Sequence, residues 1–187
     1  MREPDAPPDG DDGPDAASAS GGEKALNRAR TLALRMLAHK PRTAAQLETG
    51  LLRRGHSEEV VTAIVEECTA AGLVDDTAFS RAWVSSRHHG RGLSRNALTR
   101  ELRTRGVDED TVREAVAELS DDDEDEAARV LARRSLAGSR GRERDTRVRR
   151  AVGVLARKGY GGGLAYRVVR EELEAEGVET DPGFSGS

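Results

Sequence analysis

Leu51-Leu52-Arg53-Arg54-Gly55-His56, Leu102-Arg103-Thr104-Arg105-Gly106-Val107 and Leu155-Ala156-Arg157-Lys158-Gly159-Tyr160 are one short pattern written three times. Each begins on a leucine, carries basic residues, and ends on a glycine placed to stop a helix. The glycines stand 51 and 53 residues apart. Self-similarity at a fixed period sets the architecture of a chain before any other signal does. Here it predicts one helical unit used three times. Such a unit buries little by itself and gains a core by stacking on its neighbours.

The surrounding sequence supports the same reading. Ala29, Leu32, Ala33, Met36 and Leu37 fall at helical spacing, and Pro41 closes that stretch. Thr43 is in N-cap position with Gln46 where a capping box needs it. Leu47, Leu51 and Leu52 follow, and Gly55 takes the left-handed position after the helix. Ser57, with Glu58 and Glu59 behind it, opens a third helix bearing Val60, Val61, Ile64 and Cys68. The order then recurs. Asp75 or Asp76 caps a helix bearing Phe79 and Trp83. Ser94 stands for Thr43, Leu98 and Leu102 for Leu47 and Leu51, and Asp108 for Ser57. A looser third copy has Val148, Ala151, Val152 and Leu155, then Gly161-Gly162-Gly163 where a cap is expected, a start that should fray.

The expectation is an all-α fold: three tandem three-helix repeats in an elongated, curved array. The boundaries read as an acidic disordered tail over 1–23, repeats over 24–74, 75–120 and 121–178, and a disordered tail over 179–187.

The net charge of −4 conceals a segregation. Residues 1–23 hold seven acids and one arginine, leaving the rest of the chain slightly basic. Arg81 to Arg105 contains seven arginines against Glu101 alone, and Arg129 to Lys158 contains eleven basic residues against Glu143 and Asp145. Concentrated arginine suits an anionic partner, protein or nucleic acid. The candidate contact residues are Arg81, Arg87, Arg91, Arg95, Arg100 and Arg103, with Arg144, Arg147, Arg149 and Arg150. The competing reading is a set of solvated helix faces.

No catalytic, cofactor or metal site is expected. Gly159–Gly163 lacks the Gly-Lys-Ser/Thr of a phosphate loop. His88 and His89 are adjacent, and so diverge on a helix instead of sharing a ligand face. His56 aligns with Val107 and Tyr160, which marks a packing position. Cys68, the single cysteine, falls on an apolar stripe and has no partner for a disulfide. The acidic run Asp121–Glu126 reads as a solvated linker that also favours the next helix start. The stretch Ala45–Leu73, followed by Gly72-Leu73-Val74-Asp75-Asp76, has a winged-helix look, but helical spacing of Phe79 and Trp83 stands where a β-hairpin wing is needed. No segment is long and apolar enough to span a membrane, and no apolar leader is visible, so a soluble cytoplasmic protein is expected; a monomer is expected as well.

One stretch carries a resemblance. Gly72-Leu73-Val74-Asp75-Asp76-Thr77-Ala78-Phe79-Ser80-Arg81-Ala82-Trp83-Val84 resembles the signature of the RecX regulatory proteins. Leu51–Gly55, Gly92-Leu93-Ser94, Glu101-Leu102-Arg103 with Gly106-Val107, and Arg157-Lys158-Gly159-Tyr160 fall at matching places, so the resemblance covers about Lys24 to Glu176. It implies three tandem three-helix repeats and no catalytic residues. It further implies a regulator of homologous recombination, DNA repair and the SOS response. Such a regulator binds the RecA recombinase and its filament on single-stranded DNA and inhibits strand exchange and ATP hydrolysis. The alternatives are a direct DNA-binding module acting through the arginine band and a generic helical scaffold. With aromatics at only 3% of the chain, base stacking by a dedicated single-strand binder is disfavoured.

Overall fold

A computed structural model describes residues 15–179. Among them the chain forms nine helices and no strand. They are α1 (Asp15–His39), α2 (Ala44–Leu52), α3 (Glu58–Ala70), α4 (Asp76–Arg91), α5 (Arg95–Thr104), α6 (Glu109–Ala117), α7 (Asp121–Ala137), α8 (Arg144–Arg157) and α9 (Gly162–Glu179). Helix α1 opens at Asp15, so residues 15–23, expected as tail, are helical. The alanines at 16, 17 and 19 are the strongest helix formers available there. The rest of the expected tails, 1–14 and 180–187, lies outside the described residues.

The chain divides into two compact units. The first takes residues up to Arg42 and Gln46–Val74. Its core is Ala29, Ala33 and Met36 from α1, Leu47 and Leu51 from α2, and Val61, Ile64 and Cys68 from α3, all buried. The Met36 side chain of α1 reaches over Gly50 of α2, where a Cβ would meet its Cε at 2.2 Å. Arg30 adds a two-pronged ion pair to Glu67, with bonds of 2.6 and 2.8 Å. Cys68 is buried, and desolvation raises its thiol pKa.

The second unit takes Thr43–Ala45 and the chain from Asp75 onward. Val84, Leu98, Leu102, Val107, Val112 and Val116 make one core among α4, α5 and α6, with Phe79 and Trp83 packed on its edge. Ala128, Ala132, Leu136, Ala151, Leu155, Tyr160 and Val168 make the core of the bundle α7–α8–α9. The caps follow the sequence in most places. Asp75 accepts from the Ala78 amide at 2.8 Å, Ser94 from Ala97 at 3.3 Å and Asp108 from Thr111 at 2.9 Å. Ser57 holds the N-cap position of α3, but its side chain makes no capping bond.

The repeated glycine turn is the same object three times. His56, Val107 and Tyr160 donate their amides back to Leu51, Leu102 and Leu155, at 3.5, 3.3 and 3.2 Å. Gly55, Gly106 and Gly159 sit between, at φ of 83°, 77° and 91°. That left-handed conformation excludes a strain-free side-chain-bearing residue. Within the second unit two of these turns are seated on helix starts. The Thr43 hydroxyl donates to the Arg105 carbonyl at 2.7 Å, and a Cβ on Gly106 would lie 2.3 Å from Ala45 Cβ. The Ser94 amide donates to the Lys158 carbonyl at 3.0 Å, and a Cβ on Gly159 would lie 2.6 Å from Ser94 Oγ and 2.8 Å from Ala97 Cβ. Thr43 and Ser94 are both fully buried.

Candidate functional site

All ten arginines singled out in the sequence lie in the second unit, and the structure separates them into two groups. Arg81, Arg87, Arg95, Arg103 and Arg147 are engaged inside the chain. Arg81 pairs with Glu118 at 2.6 Å, and Arg103 pairs with Glu109. Arg95, at the start of α5, donates twice to the Leu119 carbonyl, at 3.1 and 2.6 Å, and also meets Asp121 and Glu124. Arg147 is half-buried and held by the Leu136 carbonyl and Glu176. These five side chains tie helices together.

Arg91, Arg100, Arg144, Arg149 and Arg150 are the other group. All are exposed, and no acid among the described residues pairs with them. Arg149 reaches only the Thr146 hydroxyl, at 3.4 Å. A charge that is neither buried nor paired costs nothing to keep in water and remains available to an anion.

The acidic run is no linker. Asp121–Glu124 form the first turn of α7, capped by Ser120 in a reciprocal box with Asp123. The run also supplies the acids of the ion pairs: Asp121 and Glu124 take Arg95, Asp125 takes Arg129 and Arg167, and Glu126 takes Arg133. The Arg167 hydrogen bond, followed by that of Arg129, holds the Asp125 carboxyl below its ordinary pKa against the opposing effect of burial.

The most developed surface feature centres on Trp83. Its indole Nε1 donates to Glu101 at 2.7 Å, and its ring stacks on Phe79 with centroids 5.7 Å apart. The Arg87 and Arg105 guanidiniums lie over the same ring, 4.1 and 3.7 Å from its centroid. Both arginines bury an Nε that finds no hydrogen-bond acceptor among the described residues. Burial lowers the Arg105 pKa, the nearby Glu101 opposes that shift, and Arg87 adds to it. Beside this stack, Arg100, Arg105 and Arg157 line one cleft of about 380 Å³ with Leu93, Ala97, Thr104 and Glu101. Glu101 is its one acid and is already taken by the indole. The sequence reading omitted Arg105 and Arg157, although each stands in the repeated turn whose basic residues it had quoted.

Tyr166 differs from the other described aromatics. It is 56% exposed on α9 and lines a hollow of about 570 Å³ with Arg144, Arg149 and Arg170 and with the acids Glu143 and Asp145. No group of three or more His, Cys, Asp or Glu among the described residues is placed to hold a metal ion. No helix among them is long and apolar enough to cross a membrane.

Comparison with known proteins gives a consistent result. Residues 29–68 match the family description "RecX, first three-helix domain", and residues 75–116 match "RecX, second three-helix domain". The chain is 56% identical over 178 residues to the regulatory protein RecX of Thermobifida fusca, covering 95% of this chain and 96% of that one. It is 46% identical over 180 residues to the regulatory protein RecX of Streptomyces coelicolor, covering 93% and 95%. The crystal structure of RecX from Lactobacillus salivarius superposes with a TM-score of 0.74 at 16% identity, over 81% of this chain and 99% of that one. A second crystal structure of a regulatory protein RecX also gives 0.74, at 20% identity, over 83% and 76%.

Proposed function

The chain belongs to the RecX family of regulatory proteins, and from that premise we propose that it binds the RecA recombinase and its filament on single-stranded DNA and restrains ATP hydrolysis and strand exchange. The action is stoichiometric and non-catalytic, and it takes place in the cytoplasm. The observation that carries the reading is the division of the arginines. Five of the ten are used inside the chain, while Arg91, Arg100, Arg144, Arg149 and Arg150 are left without acids on the second unit's surface. Arg100, Arg105 and Arg157 converge on one cleft, which suits a carboxylate or phosphate group on the filament. Several weak contacts of this kind add up along a repeating partner.

A second reading is supported by Tyr166. An exposed ring beside Arg144 and Arg149, which are without acid partners, suits stacking of an unpaired base with contact to its backbone, although Glu143 and Asp145 line the same hollow and Arg170 is paired with Glu174. Direct contact with single-stranded DNA inside the filament would complement the protein contact.

The test is RecA ATPase on single-stranded DNA with this protein titrated in. The expected result is a dose-dependent fall in rate. An unchanged rate and unchanged strand exchange at molar excess over RecA would overturn the assignment.

A further inference from the structure

Four guanidiniums and one carboxylate are gathered around Trp83 and the cleft beside it. Arg87, Arg100, Arg105 and Arg157 are the cations, and Glu101 is the acid. Glu101 is already shared. Its Oε2 accepts from the indole Nε1 at 2.7 Å and lies 3.7 Å from Arg87 Nε, beyond hydrogen-bond reach. Arg100 and Arg157 are exposed and have no acid partner among the described residues. Arg105 is held over the ring, and its Nε, like that of Arg87, is buried without an acceptor. Like charges gathered this closely repel one another, and an added anion relieves the repulsion.

The lining selects the kind of anion. Arg100, Arg105 and Arg157 meet on a cleft of about 380 Å³, which suits one compact oxyanion. A single nucleic-acid strand is instead held by cations spread along a groove and by rings on which its bases stack. The one ring at this place is already occupied by Phe79, Arg87 and Arg105. Leu93, Ala97 and Thr104 complete the lining and suit the methylene stem of an acidic side chain. The guanidinium fork meets a planar carboxylate in two parallel bonds.

We propose that this cleft receives an acidic side chain of a protein partner, and that Glu101 is the resident carboxylate with which the incoming one competes for the arginines. The chemistry of the site stands on the cleft itself; the identity of the partner, a RecA protomer in the filament, rests on the function proposed above. Removing the Glu101 charge should therefore strengthen binding. Glu101→Gln keeps an oxygen for the indole and takes away the repulsion that the incoming acid meets.

The experiment uses hexaglutamate and a thymidine 12-mer as probes, with affinity read by calorimetry and location by Trp83 emission. Affinity for RecA filaments on single-stranded DNA is measured alongside. Wild type, Glu101→Gln and Glu114→Gln are compared. Glu114 is an exposed acid outside the cleft, so its variant changes the net charge equally at another place. Wild type is expected to bind hexaglutamate with a change in emission. Glu101→Gln is expected to bind hexaglutamate and filaments roughly three- to tenfold more tightly than Glu114→Gln, with equal affinity for the 12-mer.

No binding of hexaglutamate by wild type, or binding that leaves the emission unchanged, overturns the site without recourse to a variant. Equal peptide affinity of the two variants overturns the role of Glu101. A parallel gain on the 12-mer assigns the cleft to phosphate and overturns the protein partner. A gain in peptide affinity on combining Asp5→Asn, Asp9→Asn, Asp11→Asn and Asp12→Asn assigns the cleft to the chain's own N-terminal segment, and a dimer dissociated by the peptide assigns it to a second copy; each overturns the partner. Equal filament affinity of the two variants overturns the proposal and leaves the functional reading intact. A wild type that binds hexaglutamate but not filaments sinks the functional reading and supports the carboxylate site.

Discussion

The Arg105 guanidinium carbon lies 3.7 Å from the centre of the Trp83 ring, and the cleft lined by Arg100 and Arg157 opens beside that contact. The ring is thus a structural element whose environment includes the cleft. Trp83 is the chain's single tryptophan, so its emission reports on this place alone. An anionic partner entering the cleft is expected to displace Arg105 from the indole and change the emission. A titration with RecA filaments checks it, with Arg105→Ala as the control that abolishes the response.

Trp83→Ala is expected to destabilise the second unit by about 2–4 kcal/mol, less than for a fully buried indole because the ring is half-buried. It removes the stack on Phe79 and the bond to Glu101, and leaves two arginines beside an empty space. Chemical denaturation followed by circular dichroism measures it.

The arginines should divide by experiment as they do by geometry. Arg100→Glu with Arg157→Glu is expected to leave the melting temperature unchanged and to weaken filament binding, most strongly at low salt. Arg95→Ala is expected to cost about 1–3 kcal/mol of stability, because the Leu119 carbonyl and Asp121 lose their donor. Filament affinity at two salt concentrations, together with a melt of each variant, separates the two effects.

Gly159→Ala and Gly55→Ala impose the same backbone strain but differ in what the methyl meets. At Gly55 only the left-handed penalty applies, about 1–2 kcal/mol. At Gly159 the methyl also collides with Ser94 Oγ, Ala97 Cβ and the Ala97 amide nitrogen, so about 2–5 kcal/mol is expected in total. Equal losses in the two melts would mean that the Gly159 seat is loose.

The bundle α7–α8–α9 should be acid-sensitive. Asp125 and Glu176 have carboxyls held below their ordinary pKa by hydrogen bonds from Arg167 and Arg129, and from Arg140 and Arg147. Burial alone would raise Glu172, yet Arg133 and Arg129 together outweigh it and leave it lowered. A lowered carboxyl contributes stability above its unfolded pKa and loses that contribution as pH falls through the folded one. Asp76 has the opposite sign: burial raises it despite the Ala44 amide bond, so its contribution is present at low pH and is lost as pH rises. Asp76 opens α4 and lies outside that bundle. Melting temperature is expected to fall as pH drops below about 4.5, the ordinary carboxylate range.

The sequence made the helices legible because their signals are local. Leu102 and Gly106 are four residues apart, and Ser94 caps a helix that begins at the next residue. The roles of the arginines were hidden because their partners are remote. Arg95 meets the Leu119 carbonyl 24 residues on, and Arg129 meets Glu171 42 residues on. Nothing near Arg95 in the chain distinguishes it from Arg100, which has no acid. Exposure of Tyr166 was equally hidden, since α9 turns Ala165, Val168 and Val169 inward and so directs that ring to water. Arg105 could have been found: it precedes a glycine in the same place as Arg54 and Lys158.

Cys68 is the only thiol in the chain and is sealed in the first unit's core, where burial keeps it protonated. The native protein is expected to react only slowly with maleimides. A cysteine introduced at an exposed site such as Arg100 or Arg144 would be the one position a label finds, with no background thiol to remove. Distance measurements by paired fluorophores or spin labels can therefore start from the unmodified sequence, and the arrangement of the protein on a filament becomes something that can be triangulated in solution.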